Sequence, residues 1–241
     1  MSRISDLPVL WRMLRGMERS GNHAQRLEGF YAGQAAVYDR FRERLLHGRD
    51  DLLARLPLAP GDVLVELGAG TGRNLEPIAE RIPGLAAVHL VDLCPSLLTV
   101  ARQRIAARGW TQVHAIEADA TTWQPPQPAD VVVCAYSLSM MPDWRATVAN
   151  ACAMLRPGGL LAVVDFTVID PITANLAGTS AQPAALRWAW RRWFGHDGVH
   201  PDPRLLPHLA ASLETQHLAV GRGRIPYMPI RAAYAQFIGR V

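Results

Sequence analysis

Residues 63–72 read Val63-Leu64-Val65-Glu66-Leu67-Gly68-Ala69-Gly70-Thr71-Gly72. The first five are a short apolar run broken only by one acid, the pattern of a buried strand. Three glycines at alternate positions follow. They let the chain turn sharply and bring bare backbone close to a ligand, where side chains would intrude. The dinucleotide pattern G-x-G-x-x-G would place glycine at 73, but Arg73 stands there, and the Walker pattern is absent.

Outward from this loop, apolar runs alternate with helical patterns between about 62 and 166. After the strand 63–67 comes a helix to about 82, then a strand at 87–92 and a helix at 95–108. Strands follow at 113–119 and 130–136, a helix at 143–155, and a strand at 159–166. Such alternation predicts βαβ units and a parallel sheet covered on both faces. Ligands of these sheets bind beyond the carboxyl ends of the strands. Glu66, Asp92, Asp119, Tyr136 and Asp165 all fall at such ends. Later, 170–182 reads as a loop, 183–195 and 203–212 as helices, and 215–221 and 233–239 as two closing strands.

The chain has 241 residues, 49% of them hydrophobic, enough for one large domain. No run approaches the ~18 apolar residues of a membrane span, and arginines and acids interrupt any secretory signal at the N-terminus. Cys94, Cys134 and Cys152 lie far apart, giving neither a disulfide framework nor a metal site. A cytoplasmic protein, peripheral on the inner membrane face if on a membrane at all, fits these features. All 25 basic residues are arginine. Residues 1–55 carry a net +3, residues 56–180 a net −4, and residues 181–241 a net +5. Basic ends suit a membrane surface or an anionic ligand, and no nucleic-acid motif is present. Leu7, Leu10, Trp11, Leu14 and Met17 form an apolar stripe. It fits either a helix packed on its own domain or one lying in a membrane interface.

The acidic strand end with G-x-G-x-G resembles motif I of class I S-adenosylmethionine-dependent methyltransferases. Asp92, Asp119-Ala120 and Leu155-Arg156-Pro157-Gly158-Gly159-Leu160 match later motifs of that family in order, over about 60–166. The resemblance implies an α/β fold: a doubly wound, mostly parallel seven-stranded sheet with N-terminal helices and a C-terminal helical insertion. Residues 1–55 would form a helical lid, 56–166 the cofactor-binding core, and 167–241 the substrate side of a single domain. S-adenosylmethionine is the implied cofactor, with no metal. Its implied contacts are Tyr38, Arg49, Glu66, Gly68, Ala69, Gly70, Asp92, Leu93, Asp119 and Ala120. Asp92 would accept the ribose hydroxyls, and Asp119 would meet the adenine amino group.

A narrower resemblance runs over roughly 31–240. Tyr136-Ser137-Leu138-Ser139-Met140-Met141-Pro142-Asp143-Trp144 is similar to the N-methyltransferases of betaine-lipid synthesis, which convert diacylglyceryl-homoserine to its trimethyl form. So are Tyr38-Asp39-Arg40-Phe41-Arg42, His47-Gly48-Arg49-Asp50, Gly72-Arg73-Asn74-Leu75 and Val164-Asp165-Phe166. Val199-His200-Pro201 also matches, with Arg204 farther from the proline than in that family. Asp92-Leu93-Cys94-Pro95-Ser96 looks more like the methyltransferase half of the fused eukaryotic synthase; the other half would be a separate aminocarboxypropyl transferase. The resemblance implies a lipid-linked amino-acid substrate, with Tyr136 and Ser137 orienting its nitrogen. Arg73, Trp144, Asp165, Arg191, Arg192 and His200 would bind it, with Trp188, Trp190, Trp193 and Phe194 as an apolar surface. Competing expectations are a methyltransferase for another small molecule, since this fold hosts many acceptors, and a non-catalytic cofactor-binding subunit. At single positions the bland alternatives stand: Tyr136 as a core cap, Met140 and Met141 as packing, and His200 as a structural hydrogen bond.

Overall fold

The computed structural model describes residues 21–31 and 44–241. The Leu7–Met17 stripe and Tyr38 with its neighbours lie outside the described residues. Seven strands form one sheet: β1 (Val63–Leu67), β2 (Ala87–Asp92), β3 (Val113–Glu117), β4 (Ala129–Ala135), β5 (Leu155–Thr167), β6 (Glu214–Arg224) and β7 (Arg231–Arg240). Their order is β3-β2-β1-β4-β5-β7-β6. The first five are parallel, and β7 runs antiparallel to both β5 and β6. From β1 the chain moves outward to β2 and β3, then returns to the other side at β4. That reversal opens a crevice at the carboxyl ends of β1 and β4.

The helices are α1 (His23–Tyr31), α2 (Arg49–Arg55), α3 (Pro95–Arg108), α4 (Trp144–Met154), α5 (Pro171–Leu176), α6 (Ala184–Phe194) and α7 (Leu205–Ser212). They cover both faces of the sheet. Successive strand side chains point to opposite faces. In β1, Leu64 joins one core with Val88, Val131 and Leu160, while Val63, Val65 and Leu67 join the other with Val132, Cys134 and Val163. Two covered faces explain why the strands read as continuous apolar runs rather than alternating ones. Among the described residues no helix is long and apolar enough to cross a membrane.

Three local expectations are corrected. The helix expected after the glycine loop is instead two short 3-10 segments, Arg73–Ile78 and Ile82–Gly84. Pro77 and Pro83 each lack the N–H that an α-helix would need there. The strand expected at 159–166 begins at Leu155 and so takes in the whole Leu155–Leu160 motif. This is β5, where the pairing jumps from Ala129↔Leu155 to Val131↔Leu160 and Gly158 takes φ 79° to absorb the bulge. The loop expected at 170–182 contains α5, started by Asp170, whose carboxylate accepts from Thr173 N at 2.7 Å, and by Pro171 at the first helical position.

Candidate active site

The glycine loop is shaped by what surrounds it. Gly68, Gly70 and Gly72 all have positive φ, at 74°, 55° and 66°. A Cβ on Gly68 would come within 2.4 Å of Ser137 Cβ, and one on Gly72 within 2.9 Å of Leu90 Cδ1, so both positions are closed by packing. At Gly70 the nearest atom would be Leu97 Cδ1 at 3.8 Å, an ordinary contact. There glycine serves the backbone conformation. The Asp92 carboxylate at the end of β2 fastens the loop, accepting from Gly70 N through Oδ2 (2.8 Å) and from Cys94 N through Oδ1 (2.9 Å).

Behind the loop sits Glu66, 2% exposed and bound by Asn74 Nδ2. Burial pushes its carboxyl up to about 8, against the pull of Asn74 and of the Arg49 charge.

At the end of β4, Tyr136 enters the left-handed region, φ 56°. Its N–H still bonds Val164 O of β5 (2.7 Å), its ring lies 4.7 Å from that of Phe166, and its hydroxyl donates to His47 O at 2.5 Å. Ser137 Oγ donates to Leu67 O (2.8 Å). The next residues make a 3-10 turn held by Asp165, which accepts from Ser139 N (2.9 Å), Ser139 Oγ (2.6 Å) and Phe166 N (2.8 Å).

These elements enclose a cavity of about 490 Å³ at the strand ends, a size usual for a small-molecule site. Helix α1 roofs it. Asn22 and Gln25 cap the helix reciprocally, each side chain accepting from the other's backbone N–H at 2.9 Å. Glu28 Oε2 then accepts from Ser96 N (3.2 Å), Ser96 Oγ (3.1 Å) and Cys94 Sγ (3.1 Å), placing a negative charge on the N-terminus of α3. Tyr31 donates to Met140 Sδ at 3.3 Å. His23, Ala24, Leu27 and Tyr31 thereby become cavity wall.

Among the described residues the lining carries three carboxylates, Asp92, Asp119 and Asp143, and no arginine. Burial, and then the Arg26 charge, hold the His23 imidazole below its usual range. A cationic adenosine derivative finds an acid at the β2 end, a second acid beyond β3 whose Oδ1 holds Thr121 (2.8 Å to N), and apolar contact from Leu93, Leu97 and Met140.

A second depression, about 810 Å³, adjoins the first and shares Met141, Pro142 and Asp143 with it. Its charge is opposite: Arg145, Arg187, Arg191, Arg192 and Arg204 line it with Trp144, Trp188 and His200. Arg204 is held by Asp202 (2.7 Å), Arg145 lies over Trp144 (4.1 Å to the ring centre), and Arg187 donates to Gln182 O.

Residues 64–159 match a family described as a methyltransferase domain. The seven-stranded sheet has the Rossmann-like fold of solved methyltransferases. The trans-aconitate 2-methyltransferase of Methylobacterium radiotolerans is 33% identical over 128 residues, 53% of this chain and 47% of that protein. The chain spans about half the length of such curated relatives. The N-methyltransferase NodS of Bradyrhizobium japonicum, solved with S-adenosyl-L-homocysteine, superposes with a TM-score of 0.62 at 20% identity, covering 91% of this chain and 99% of that one. The [4+2]-cyclase SpnF superposes with a TM-score of 0.65 at 16% identity, covering 93% of this chain and 98% of that one. At these identities the two structures establish the fold alone.

The fold brings together many of the residues expected at the site. Gly68, Gly70, Asp92, Leu93, Asp119, Ala120, Tyr136 and Ser137 line the cavity. Trp144, Arg191, Arg192 and His200 line the arginine groove, with Trp144 Nε1 donating to Asp202 (3.1 Å). Glu66, Ala69 and Arg49 form the layer behind the loop, and neither they nor Arg73 line either space. Asp165 is turned inward as a brace for the 138–140 turn, its oxygens occupied by Ser139 and Phe166. The tryptophan cluster divides. Trp190 and Phe194 are core, whereas Trp188 is 71% exposed. The α1 wall went unread, although Asn22…Gln25 followed by Leu27, Phe30 and Tyr31 carries both a capping box and an apolar face. Arg187 was missed because nothing local distinguishes a groove arginine, and Asp143, read as the start of a helix, joins the two spaces only through the fold.

Proposed function

We propose that this chain methylates the amine of a lipid-linked amino acid of the diacylglyceryl-homoserine type, forming the trimethyl betaine. The observation that carries this reading is the junction of the two spaces: an acid-lined cavity meets an arginine-lined groove across Met141-Pro142-Asp143. When bound, S-adenosylmethionine supplies an electrophilic methyl on a sulfonium, and the three carboxylates suit its charge.

A zwitterionic acceptor matches the same division. Its carboxylate would lie toward Arg191 and Arg192, its amine toward Asp143 and Tyr136, and its chains toward Trp188. Tyr136 gives a directional argument. A phenol has one hydrogen to donate, and that hydrogen is already committed to His47 O. Toward the cavity Tyr136 can therefore only accept, which suits an amine N–H. No strong base is needed if the site desolvates the amine and favours its neutral form. Holding it in line supplies the rest.

Carboxyl O-methylation is the second reading, favoured by the relatives named trans-aconitate 2-methyltransferase. A carboxylate acceptor would bring no N–H to Tyr136 and would face Asp143.

The test is methyl transfer from labelled S-adenosylmethionine to diacylglyceryl-homoserine in mixed micelles, with trans-aconitate in parallel. Mono-, di- and trimethyl lipid appearing in sequence is the expected result. Label confined to the tricarboxylate would replace this reading with the second. Binding without transfer to either would leave a cofactor-binding protein.

A further inference from the structure

The exposed large apolar side chains of the described residues are not scattered. Ile172, Leu176, Leu186 and Trp188 are 60%, 40%, 43% and 71% exposed, and Tyr227, Met228 and Ile230 are 50%, 39% and 41% exposed. The one other such residue among those described is Val241, paired to Gly159 at the opposite end of β5. The first group follows directly from the carboxyl end of β5. The second is the β6–β7 connection, and since Thr167 of β5 pairs with Ala233 of β7, that connection sits at the same end of the sheet. Beneath them, Trp190, Phe194, Phe166 and Ile225 share one core cluster, so the two groups rest on common ground.

The same two segments are strongly basic. Residues 171–194 and 222–231 together hold six arginines and no aspartate or glutamate. Exposed apolar side chains set among arginines, on the end of the sheet where the groove lies, call for a partner that is both apolar and anionic.

We propose that this end of the molecule docks on an anionic lipid surface, with Ile172, Trp188, Tyr227 and Ile230 entering the interface and the arginines meeting the headgroups. Aromatic and aliphatic side chains inserted at the headgroup boundary bind by buried apolar area, and arginines add attraction that salt weakens. The orientation would turn the arginine groove toward the bilayer. The inference does not depend on the acceptor's identity, because it concerns adhesion, which is measured without cofactor or acceptor.

The experiment is sedimentation of the full chain with phosphatidylcholine vesicles containing about a third phosphatidylglycerol, beside pure phosphatidylcholine. Binding to the anionic vesicles is expected, falling about tenfold or more in the Ile172→Ser/Trp188→Ser/Tyr227→Ser/Ile230→Ser variant and in high salt. Val241→Ser, at the far end, should bind as the parent does. All five substitutions are at exposed positions, so folding, checked by circular dichroism, should persist. No binding to anionic vesicles, undiminished binding by the fourfold variant, or equal loss in Val241→Ser would each overturn the proposal. Loss of methyl transfer to micellar lipid with vesicle binding intact would instead count against the function proposed above.

Discussion

Tyr136 holds φ at 56°, a conformation that costs a non-glycine residue about 1–3 kcal/mol. The ring against Phe166 and the hydroxyl on His47 O keep it there. Tyr136→Phe retains the ring and loses the acceptor oxygen along with the bond to His47. The first and second methylations, whose acceptors still carry N–H, should slow about 5–30-fold, by the usual worth of one hydrogen bond. The third should change less. Time-resolved mass spectrometry of the products separates these, and equal slowing at every step would make the hydroxyl a purely structural tie.

Glu66 behaves differently, because its effect is on stability. An ordinary glutamate loses its proton near 4.5, whereas this one keeps it to about 8. Between those values the folded chain binds more protons than the unfolded chain. The Glu66 contribution is therefore complete below 4.5 and lost as pH rises through about 8, on the order of a few kcal/mol. Glu66→Gln keeps an acceptor for Asn74 and has no proton to lose. Its stability in urea should fall less between about pH 5 and 8 than the parent's; an unchanged slope would mean that Glu66 titrates normally.

At the scale of elements, one carboxylate ties the roof helix α1 to the start of α3. Glu28 accepts three bonds from Cys94 and Ser96, and burial raises the Cys94 thiol to about 12, so the thiol keeps the hydrogen it donates. Glu28→Ala should leave the sheet's melting temperature nearly unchanged, since α1 packs on a small separate cluster. It should weaken S-adenosylmethionine binding about 5–10-fold, because the closed state must then be populated before it binds. Calorimetry with hydrogen exchange over residues 23–31 checks both parts; full protection of α1 in the variant would refute the hinge-pin role.

Elements also mark where the sequence was readable. The apolar strands and the helices α3, α4, α6 and α7 fell within a few residues of expectation. The prolines at 77 and 83 turned a helical pattern into 3-10 segments. The bulge at Gly158 carries the pairing of β5 back to Leu155, ahead of the strand expected from 159. Both are backbone effects that residue-type patterns register only weakly.

At the scale of the whole molecule, the site divides into two halves of unequal visibility. The cofactor half is local: a loop and strand ends whose residues sit beside one another in sequence. The groove is assembled from α4, α6 and the segment 200–204, so its arginines are named by sequence but brought together only by the fold. Asp165 shows the converse. Its place at a strand end made it a ligand candidate, yet the end of β5 points it into the 138–140 turn.

The sheet order bears on how such a chain assembles during synthesis. β7 lies between β5 and β6, yet it is made after all the other strands. Until it emerges, β5 presents a bare edge and β6 has nothing to join, although the cofactor half already has every strand it uses. The nascent chain thus passes through a stage in which five parallel strands stand complete beside an open apolar edge, the kind of surface that pairs with neighbouring chains. Closing that edge takes a pairing between residues far apart in the sequence, which is slow to form, and until it forms the open edge is most exposed to association.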